Sequence, residues 1–134
     1  MSNAPRLRVL VVEDDPDTVE VLAMMFEWLG CDTRIASRGI SAVELADAFS
    51  PELLFADIYL PDIDGYEVAR RIRRRCRPFC VALTGIPQDH RADVGAFFDQ
   101  CYLKPIGLDA IRKVLGAVTR ARKLLSTVEP PRRL

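Results

Sequence analysis

Four short apolar runs and the segment 32–36 alternate along this chain with segments whose apolar residues recur at helical spacing. The runs at 53–56 and 79–83 have no polar alternation, which is typical of strands in a parallel sheet that helices cover on both faces. Parallel neighbours need right-handed crossovers, so the pattern predicts an α/β fold with a doubly wound five-stranded sheet. For this length we expect the strand order 2-1-3-4-5. The predicted strands are 8–12, 32–36, 53–56, 79–83 and 101–103.

Helix boundaries are marked between these runs. Asp15 and Pro16 supply an N-cap and a first-turn proline, and Gly30 ends the first helix. A second helix is expected over 40–49. Asp64 can cap a third with Glu67 three residues on, a variant of the capping box. A weak fourth helix is expected to open at Pro87, and the last helix is predicted from an apolar stripe of Leu108, Ile111, Val114, Leu115 and Val118.

Length and charge limit the function classes. The 134 residues suit one domain, and nineteen basic residues balance nineteen acidic ones, so no global field favours nucleic acid or an anionic membrane. The apolar runs are far shorter than a membrane span, and the first eight residues lack an apolar signal core. We therefore expect a cytoplasmic protein. Its four cysteines lack paired CxxC spacing and are expected to be thiols.

Polar residues of complementary kinds stand where four of the predicted strands end. Glu13 and Asp14 follow the first strand, Asp57 the third, Thr84 the fourth and Lys104 the fifth. In a parallel sheet these ends meet at one edge, which is where open α/β sheets place their ligands. Three carboxylates in one place repel unless a hard cation neutralises them. The sequence thus predicts a Mg²⁺ site, or a Mn²⁺ site, at this edge.

The same constellation suits phosphoryl transfer. A carboxylate on a fixed turn can attack a phosphoryl group, which makes Asp57 the candidate phosphoacceptor. The transferred group spreads negative charge over three oxygens and needs a metal and donors aimed at them. Thr84 offers a hydroxyl donor. Lys104 offers a positive charge, and Pro105 restricts the backbone of Lys104 and so fixes where that charge points.

These motifs resemble the receiver domain of two-component response regulators. The resemblance rests on VLVVEDDP at 9–16, LLFADIYLPDIDGYE at 53–67, ALTG at 82–85, and Lys104 with Pro105, and it covers about residues 7–121. It implies the flavodoxin-like receiver fold. It also implies a switch rather than an enzyme, in which a histidine kinase or a histidine phosphotransfer protein phosphorylates Asp57.

The resemblance assigns roles to individual residues. It implies that Asp14, Asp57 and the main-chain carbonyl of Tyr59, with help from Glu13, hold Mg²⁺. Lys104 binds the phosphoryl group and is followed by a cis bond to Pro105. Thr84 follows the phosphoryl group on activation. The downstream protein target is then expected to bind the face made by the fourth helix, fifth strand and fifth helix.

One position departs from the family pattern. The receiver switch uses an aromatic ring three residues before the lysine, whereas this chain has Cys101 there and Tyr102 one place later. Neighbouring strand side chains alternate, so Tyr102 is expected on the other face as part of a variant switch. Tyr59 and Ile86, two residues beyond Asp57 and Thr84, are expected to flank the water path and to tune the phosphoryl lifetime.

The remaining segments leave alternatives open. Residues 1–6 are expected to form a tail, and 122–134 a helix extension and tail without an effector domain, able to dock on a partner or a second copy. The chain is then a stand-alone receiver or one excised from a hybrid kinase. A second interpretation is an aspartyl-phosphate phosphatase or phosphotransferase, although Tyr59 stands where haloacid dehalogenase enzymes carry a second acid. A third is a receiver-like binding module that is not phosphorylated. An arginine cluster, expected to complement the third helix dipole, comprises Arg70, Arg71, Arg73, Arg74, Arg75 and Arg77.

Overall fold

The computed structural model describes residues 6–86 and 94–127, in which strands and helices alternate in the predicted order. The predicted start of the fourth helix at Pro87 lies outside the described residues. The strands are β1 (Arg8–Val12), β2 (Asp32–Ala36), β3 (Leu53–Asp57), β4 (Phe79–Thr84) and β5 (Gln100–Leu103). The helices are α1 (Pro16–Trp28), α2 (Gly39–Phe49), α3 (Gly65–Arg73), α4 (Val94–Phe97) and α5 (Leu108–Thr127).

All five strands pair in parallel in the order β2-β1-β3-β4-β5, which confirms the predicted topology. The register pairs Val12 with Ala56, Ala56 with Ala82, and Leu83 with Tyr102. The carboxyl ends of β1, β3, β4 and β5 therefore lie at one edge of the sheet. This is the edge to which the sequence assigned its polar residues.

The core has two layers, one on each face of the sheet. Successive residues of β3 alternate between them: Leu54 and Ala56 pack toward α2 and α3, whereas Leu53 and Phe55 pack toward α1 and α5. Every residue of β3 is buried. This two-sided burial is the reason that the central strands lack polar alternation.

The capping signals act as the sequence predicted. The side chain of Asp15 accepts a hydrogen bond from the backbone N–H of Thr18 at 3.0 Å, and Asp64 accepts one from Glu67 at 2.9 Å. Helix α1 ends at Trp28, two residues before Gly30, whose φ of 87° is a left-handed conformation that glycine adopts without strain. The caps fix where α1 and α3 begin relative to the preceding strands.

Helix α5 is 20 residues long and buries Ile111, Val114 and Val118 against the sheet. Its last described turns extend beyond that contact, and Leu124 is exposed there. The predicted continuation of the apolar stripe to Val128 lies outside the described residues. Within residues 6–86 and 94–127, no helix combines the length and the apolar character that a membrane crossing requires.

Candidate functional site

The polar residues predicted to converge lie at the carboxyl edge of the sheet. Glu13 directly follows β1, Asp57 and Thr84 are the last residues of β3 and β4, and Lys104 directly follows β5. Backbone hydrogen bonds continue past the strands: the N–H of Lys104 donates to the carbonyl of Thr84 at 2.7 Å, and that of Ile58 donates to the carbonyl of Leu83 at 3.0 Å. These bonds hold the strand ends in fixed positions relative to one another.

Lys104 joins the two buried acids of the site. Its Nζ lies 2.7 Å from Oδ2 of Asp57 and 2.7 Å from Oε2 of Glu13. Glu13 is 1% exposed and Asp57 is 5% exposed, so water screens these pairs far less than it screens surface ion pairs. The Lys104–Pro105 peptide bond is cis, as the resemblance implied.

Burial and the neighbouring charged groups together shift the pKa values of Glu13 and Lys104. Burial raises the pKa of Glu13 above its ordinary value, and the hydrogen bond from Lys104 offsets this only in part, while the nearby charge of Asp57 adds to it. Burial alone would lower the pKa of Lys104. The hydrogen bonds and charges of Asp57 and Glu13 outweigh burial, so the pKa of Lys104 is raised and its ammonium form is stabilised.

The acidic cluster fits a divalent cation. Carboxylate oxygens of Glu13, Asp14 and Asp57 all lie within 4.8 Å of one another. Lys104 supplies one positive charge, so three carboxylates leave an excess of two negative charges, which one divalent ion would balance. All three donors are hard oxygens of the kind Mg²⁺ prefers. Asp14, unlike Glu13, is exposed, so the cluster opens to solvent on its side.

Two further contacts orient the edge residues. The backbone N–H of Tyr59 donates to Oδ1 of Asp57 at 3.0 Å, which fixes the rotation of the carboxylate that Lys104 holds by its other oxygen. The hydroxyl oxygen of Thr84 is buried and accepts a hydrogen bond from the N–H of Ile86 at 3.1 Å. The side chains of Tyr59 and Ile86 are both exposed beside the site.

The strand next to Lys104 shows the side-chain alternation that the sequence predicted. Cys101 is exposed, whereas Tyr102 is half-buried and packs against the core layer of α1 and α5. The hydroxyl of Tyr102 is 3.0 Å from Oε1 of Gln100 on the same side of the strand, to which it donates. The aromatic ring of β5 therefore faces α5, and the thiol faces outward.

Asp62, in the loop between β3 and α3, has a structural role that the sequence did not predict. The carboxylate of Asp62 accepts hydrogen bonds from the N–H groups of Gly39 and Ile40, both at 2.8 Å, and so caps the start of α2 from a distant loop. Burial opposes the ionised form, but these backbone hydrogen bonds outweigh it and lower the pKa of Asp62 to about 2. The one indication in the sequence was that α2 lacks a local cap: Arg38, the residue at its N-cap position, provides no side-chain cap.

Gly65 lies where only a glycine fits. A Cβ atom at this position would overlap the backbone carbonyl oxygen of Asp57 and approach Cα of Ile58 at 2.9 Å. The N–H of Gly65 donates to the carbonyl of Ile58 at 2.7 Å. The first turn of α3 is thereby packed directly on the backbone of the strand that carries Asp57.

Most of the arginine cluster is paired. Arg70 and Arg71 both bind Glu67, which holds the pKa of that carboxyl at about 2. Arg75 lies 3.4 Å from Asp47. The side chains of Arg74 and Arg77 have no hydrogen bond or ion pair to any described residue. Pairing with acidic side chains thus accounts for Arg70, Arg71 and Arg75, and the complement to the α3 dipole stays a prediction.

Comparison with known proteins identifies the family to which this fold belongs. Residues 9–116 match the family model described as response regulator receiver domain. The virulence sensor protein BvgS of Bordetella bronchiseptica is 33% identical over 135 residues, which cover 93% of this chain and 11% of BvgS. The chain thus spans about a tenth of the length of this relative.

Two solved structures of receiver domains are similar to this chain. The receiver domain of sensor histidine kinase PA1611 from Pseudomonas aeruginosa PAO1, solved with a magnesium ion coordinated in its active site cleft, is 26% identical with a TM-score of 0.76, and the match covers 84% of this chain and 96% of that one. The receiver domain of Saccharomyces cerevisiae Ssk1, co-crystallised with the histidine phosphotransfer protein Ypd1, gives 25% identity and a TM-score of 0.73, covering 84% and 88%.

Proposed function

Because the chain belongs to the family of response regulator receiver domains, we propose that it is a phosphorylation switch in which Asp57 accepts a phosphoryl group from a phosphohistidine. The observation that carries this proposal is the buried contact between Asp57 and Lys104. We place the receiver unit at residues 7–121, with the rest of α5 as an extension. As in the family, the protein acts by changing its contacts and not by turning over an external substrate.

The residues of the edge divide the transfer step among them. A carboxylate oxygen of Asp57 forms a bond to phosphorus while the P–N bond of the donor breaks, and the leaving imidazole takes up a proton. Lys104 neutralises charge on the phosphoryl oxygens, and Thr84 supplies a hydroxyl to one of them. The N–H of Tyr59 holds the Asp57 carboxylate in place before the reaction.

Glu13, Asp14 and Asp57, together with the main-chain carbonyl of Tyr59, would hold a Mg²⁺ ion. When bound, the ion supplies positive charge to the phosphoryl oxygens and cancels the repulsion within the acidic cluster. Glu13 is buried and tied to Lys104, so it acts mainly by positioning the ammonium group. Mn²⁺ has a similar preference for oxygen ligands and would serve in its place.

Intact mass measured after incubation with acetyl phosphate and Mg²⁺ tests the assignment. We expect one added phosphoryl group in the wild type and none in Asp57→Asn. Asp99→Asn is the control, because Asp99 lies at the opposite edge of the sheet, and it should be modified like the wild type. Absence of the adduct in wild-type protein would contradict the proposal, and phosphate release over many turnovers would favour the phosphatase reading instead.

The surface beside Lys104 offers a docking place for the donor. A cavity of about 270 Å³ lies between α1 and the segment after β5, and its lining includes Val21, Met25, Lys104 and Ile106. Val21, Met24 and Trp28, on the solvent side of α1, are exposed apolar residues spaced three and four apart. We place the phosphodonor protein against this face; a receiver domain of similar fold has been co-crystallised with the histidine phosphotransfer protein Ypd1.

Separate donors distinguish docking from chemistry. Val21→Asp should slow transfer from a phosphorylated kinase or phosphotransfer protein that modifies the wild type, and it should leave the rate with acetyl phosphate unchanged. Glu20→Asp is the control on the same helix. Equal slowing with both donors would indicate damage to the site, and unchanged transfer from the protein donor would remove the docking proposal.

We place the output surface on α4, β5 and α5, where Cys101 is an exposed thiol. Phosphorylation adds about two negative charges to the adjacent edge, enough to bias a two-state loop. The reaction rate of Cys101 with a thiol-specific reagent should change on treatment with acetyl phosphate in wild-type protein and not in Asp57→Asn. The exposed position of Cys101 should make it react first, because burial raises the pKa of the Cys80 thiol to about 12. An unchanged rate would contradict this output face.

The four thiols also bear on location. Each of the four cysteines lies in the described part of the chain, and none is bonded in a disulfide. Thiols that stay reduced suit a reducing compartment, which supports the proposal that the protein works in the cytoplasm.

A further inference from the structure

A second concave surface lies at the edge of the sheet opposite the acidic site. It is a cavity of about 610 Å³ near the amino ends of β1, β3 and β4, and its lining includes Arg8, Glu52, Arg77 and Arg122. Pockets that hold small molecules usually measure about 300–1,000 Å³. The cavity therefore has the size of a ligand site, although it is remote from Asp57.

The lining of this cavity is basic. Its charged side chains are two carboxylates and four guanidinium groups, so positive charge exceeds negative charge by two. The chain as a whole has no net charge, which makes this a local concentration. An anion with two negative charges would balance it. The charged residues that line the cavity are Arg8, Glu52, Arg73, Arg77, Asp99 and Arg122.

Glu52 holds two of the arginines in position. Its carboxylate accepts a hydrogen bond from the backbone N–H of Arg8 at 3.1 Å, lies 3.4 Å from the Arg8 guanidinium, and also pairs with Arg122. Nε of Arg8 donates to the carbonyl of Ser50 at 2.9 Å. A guanidinium group has five N–H donors, so these contacts anchor each arginine while leaving donors for a ligand.

The other two arginines of the lining, Arg73 and Arg77, differ in their contacts. Arg73 donates to the carbonyl of Ala96 at 3.2 Å, whereas Arg77 has no hydrogen bond or ion pair to any described residue. Between the arginines the lining is apolar, and Phe79 and Ala121 are its partly exposed members. Bidentate recognition by arginine is the usual way in which proteins bind phosphate groups.

From this combination we propose that the cavity binds a small phosphate monoester, with its dianionic phosphate on Arg77 and neighbouring guanidinium groups and its apolar body against Phe79 and Ala121. The site is separate from the phosphoacceptor and does not depend on the function of Asp57. It places ligand binding at the amino edge of the sheet, opposite the edge that open α/β folds ordinarily use.

Titration with phenyl phosphate, followed by two-dimensional amide NMR, tests the proposal. The protein carries Asp57→Asn and the buffer contains EDTA, so that neither phosphotransfer nor a metal at the acidic site contributes. We expect saturable shifts at Ser50, Arg77 and Ala121, with a Kd on the order of 1 mM. Arg77→Glu should weaken binding at least tenfold. Arg74→Glu is the matched control, because Arg74 is an exposed arginine that does not line the cavity, and it should bind within twofold of the parent.

A second variant tests the cavity itself without changing charge. Ala121→Phe fills the space beside the apolar wall and should reduce affinity for phenyl phosphate more than affinity for inorganic phosphate. Binding that shifts the amides of Glu13 and Lys104 instead, equal losses in Arg77→Glu and Arg74→Glu, or no saturable shift would each overturn the proposal. Tighter binding of a hexaglutamate peptide than of phenyl phosphate would replace it with a protein-docking surface.

Discussion

The ammonium group of Lys104 lies 2.7 Å from the carboxylate of Glu13, a side chain that is almost wholly enclosed. A buried carboxylate is costly unless a partner neutralises it. Lys104 pairs with both Glu13 and Asp57, and so has a structural role in addition to the proposed binding of the phosphoryl group.

Replacing Lys104 by Gln should therefore destabilise the protein in the absence of Mg²⁺. The two buried acids would lose their cation, and we expect the free energy of unfolding to fall by about 1–3 kcal/mol, as for buried charged groups that lose a hydrogen-bond partner. Urea unfolding with and without Mg²⁺ measures the effect, and Mg²⁺ should recover part of the loss. Lys113→Gln, at an exposed position of α5, should change stability little; an equal loss in both variants would contradict this role.

Asp62 makes a testable contribution to stability that depends on pH. Its carboxylate caps α2, and Asp62→Ala should cost about 1 kcal/mol near neutral pH. The folded pKa is about 2, below the ordinary value of 3.8, so the contribution is complete above about pH 4 and is lost as the pH falls toward 2.

The measurement is the difference in unfolding free energy between wild type and Asp62→Ala from pH 6 to pH 2. This difference should shrink as the solution becomes acidic. Glu44→Ala removes an exposed carboxylate from the same helix and serves as the control. If the difference for Asp62→Ala stays constant over this range, the carboxylate is not the stabilising cap.

Gly65 and Gly116 should respond in opposite directions to the same substitution. In Gly65→Ala the new methyl group meets backbone atoms of Asp57 and Ile58, which cannot move like a flexible side chain. We expect a loss of about 1–3 kcal/mol, the usual cost of overpacking, together with slower phosphorylation by acetyl phosphate.

Gly116 lies within α5, and a Cβ atom added there would lie 3.4 Å from the flexible side chain of Arg120. Gly116→Ala should raise stability by about 0.5–1 kcal/mol, because alanine favours the helix. Thermal unfolding of both variants measures the contrast. A stable Gly65→Ala protein that phosphorylates at the wild-type rate would show that the first turn of α3 can shift away from the strand.

The exposed ring of Tyr59 gives a prediction for the lifetime of the phosphorylated form. Tyr59 follows Asp57 by two residues, and we expect its bulk to shield the acyl phosphate from water. Tyr59→Ala should lose its phosphoryl group several-fold faster, measured by intact mass after removal of the donor. Ile35→Ala truncates an exposed apolar residue on β2 and should match the wild type. A Tyr59→Ala lifetime no shorter than that of the wild type would contradict shielding.

Much of the fold could be predicted from local patterns, because burial and helix capping each leave a pattern in the neighbouring residues. The unbroken apolar runs in β3 and β4 reflect burial on both faces, and the caps at Asp15 and Asp64 act within a few residues of themselves. The polar residues at the strand ends were predicted together because a parallel sheet leaves only one edge on which they meet.

What escaped prediction depended on contacts between distant segments. The burial of Glu13 against Lys104, with Asp14 exposed beside it, was not predicted, and the role of Glu13 in holding Mg²⁺ stays a prediction. The bond from Asp62 to the start of α2 spans more than twenty residues and has no local signature. The basic cavity likewise gathers Arg8, Arg77 and Arg122 from three separate parts of the chain.

Asp62 and Gly65 together give the molecule a mechanical asymmetry. Asp62 joins the loop after β3 to α2 by hydrogen bonds, and Gly65 packs the start of α3 on the backbone of Asp57 and Ile58, so this flank of Asp57 is tied to two helices. The opposite flank, at β4 and β5, is joined to the site through Thr84 and Lys104, the groups that would contact a new phosphoryl group. We therefore expect a charge added at Asp57 to move the second flank more than the first.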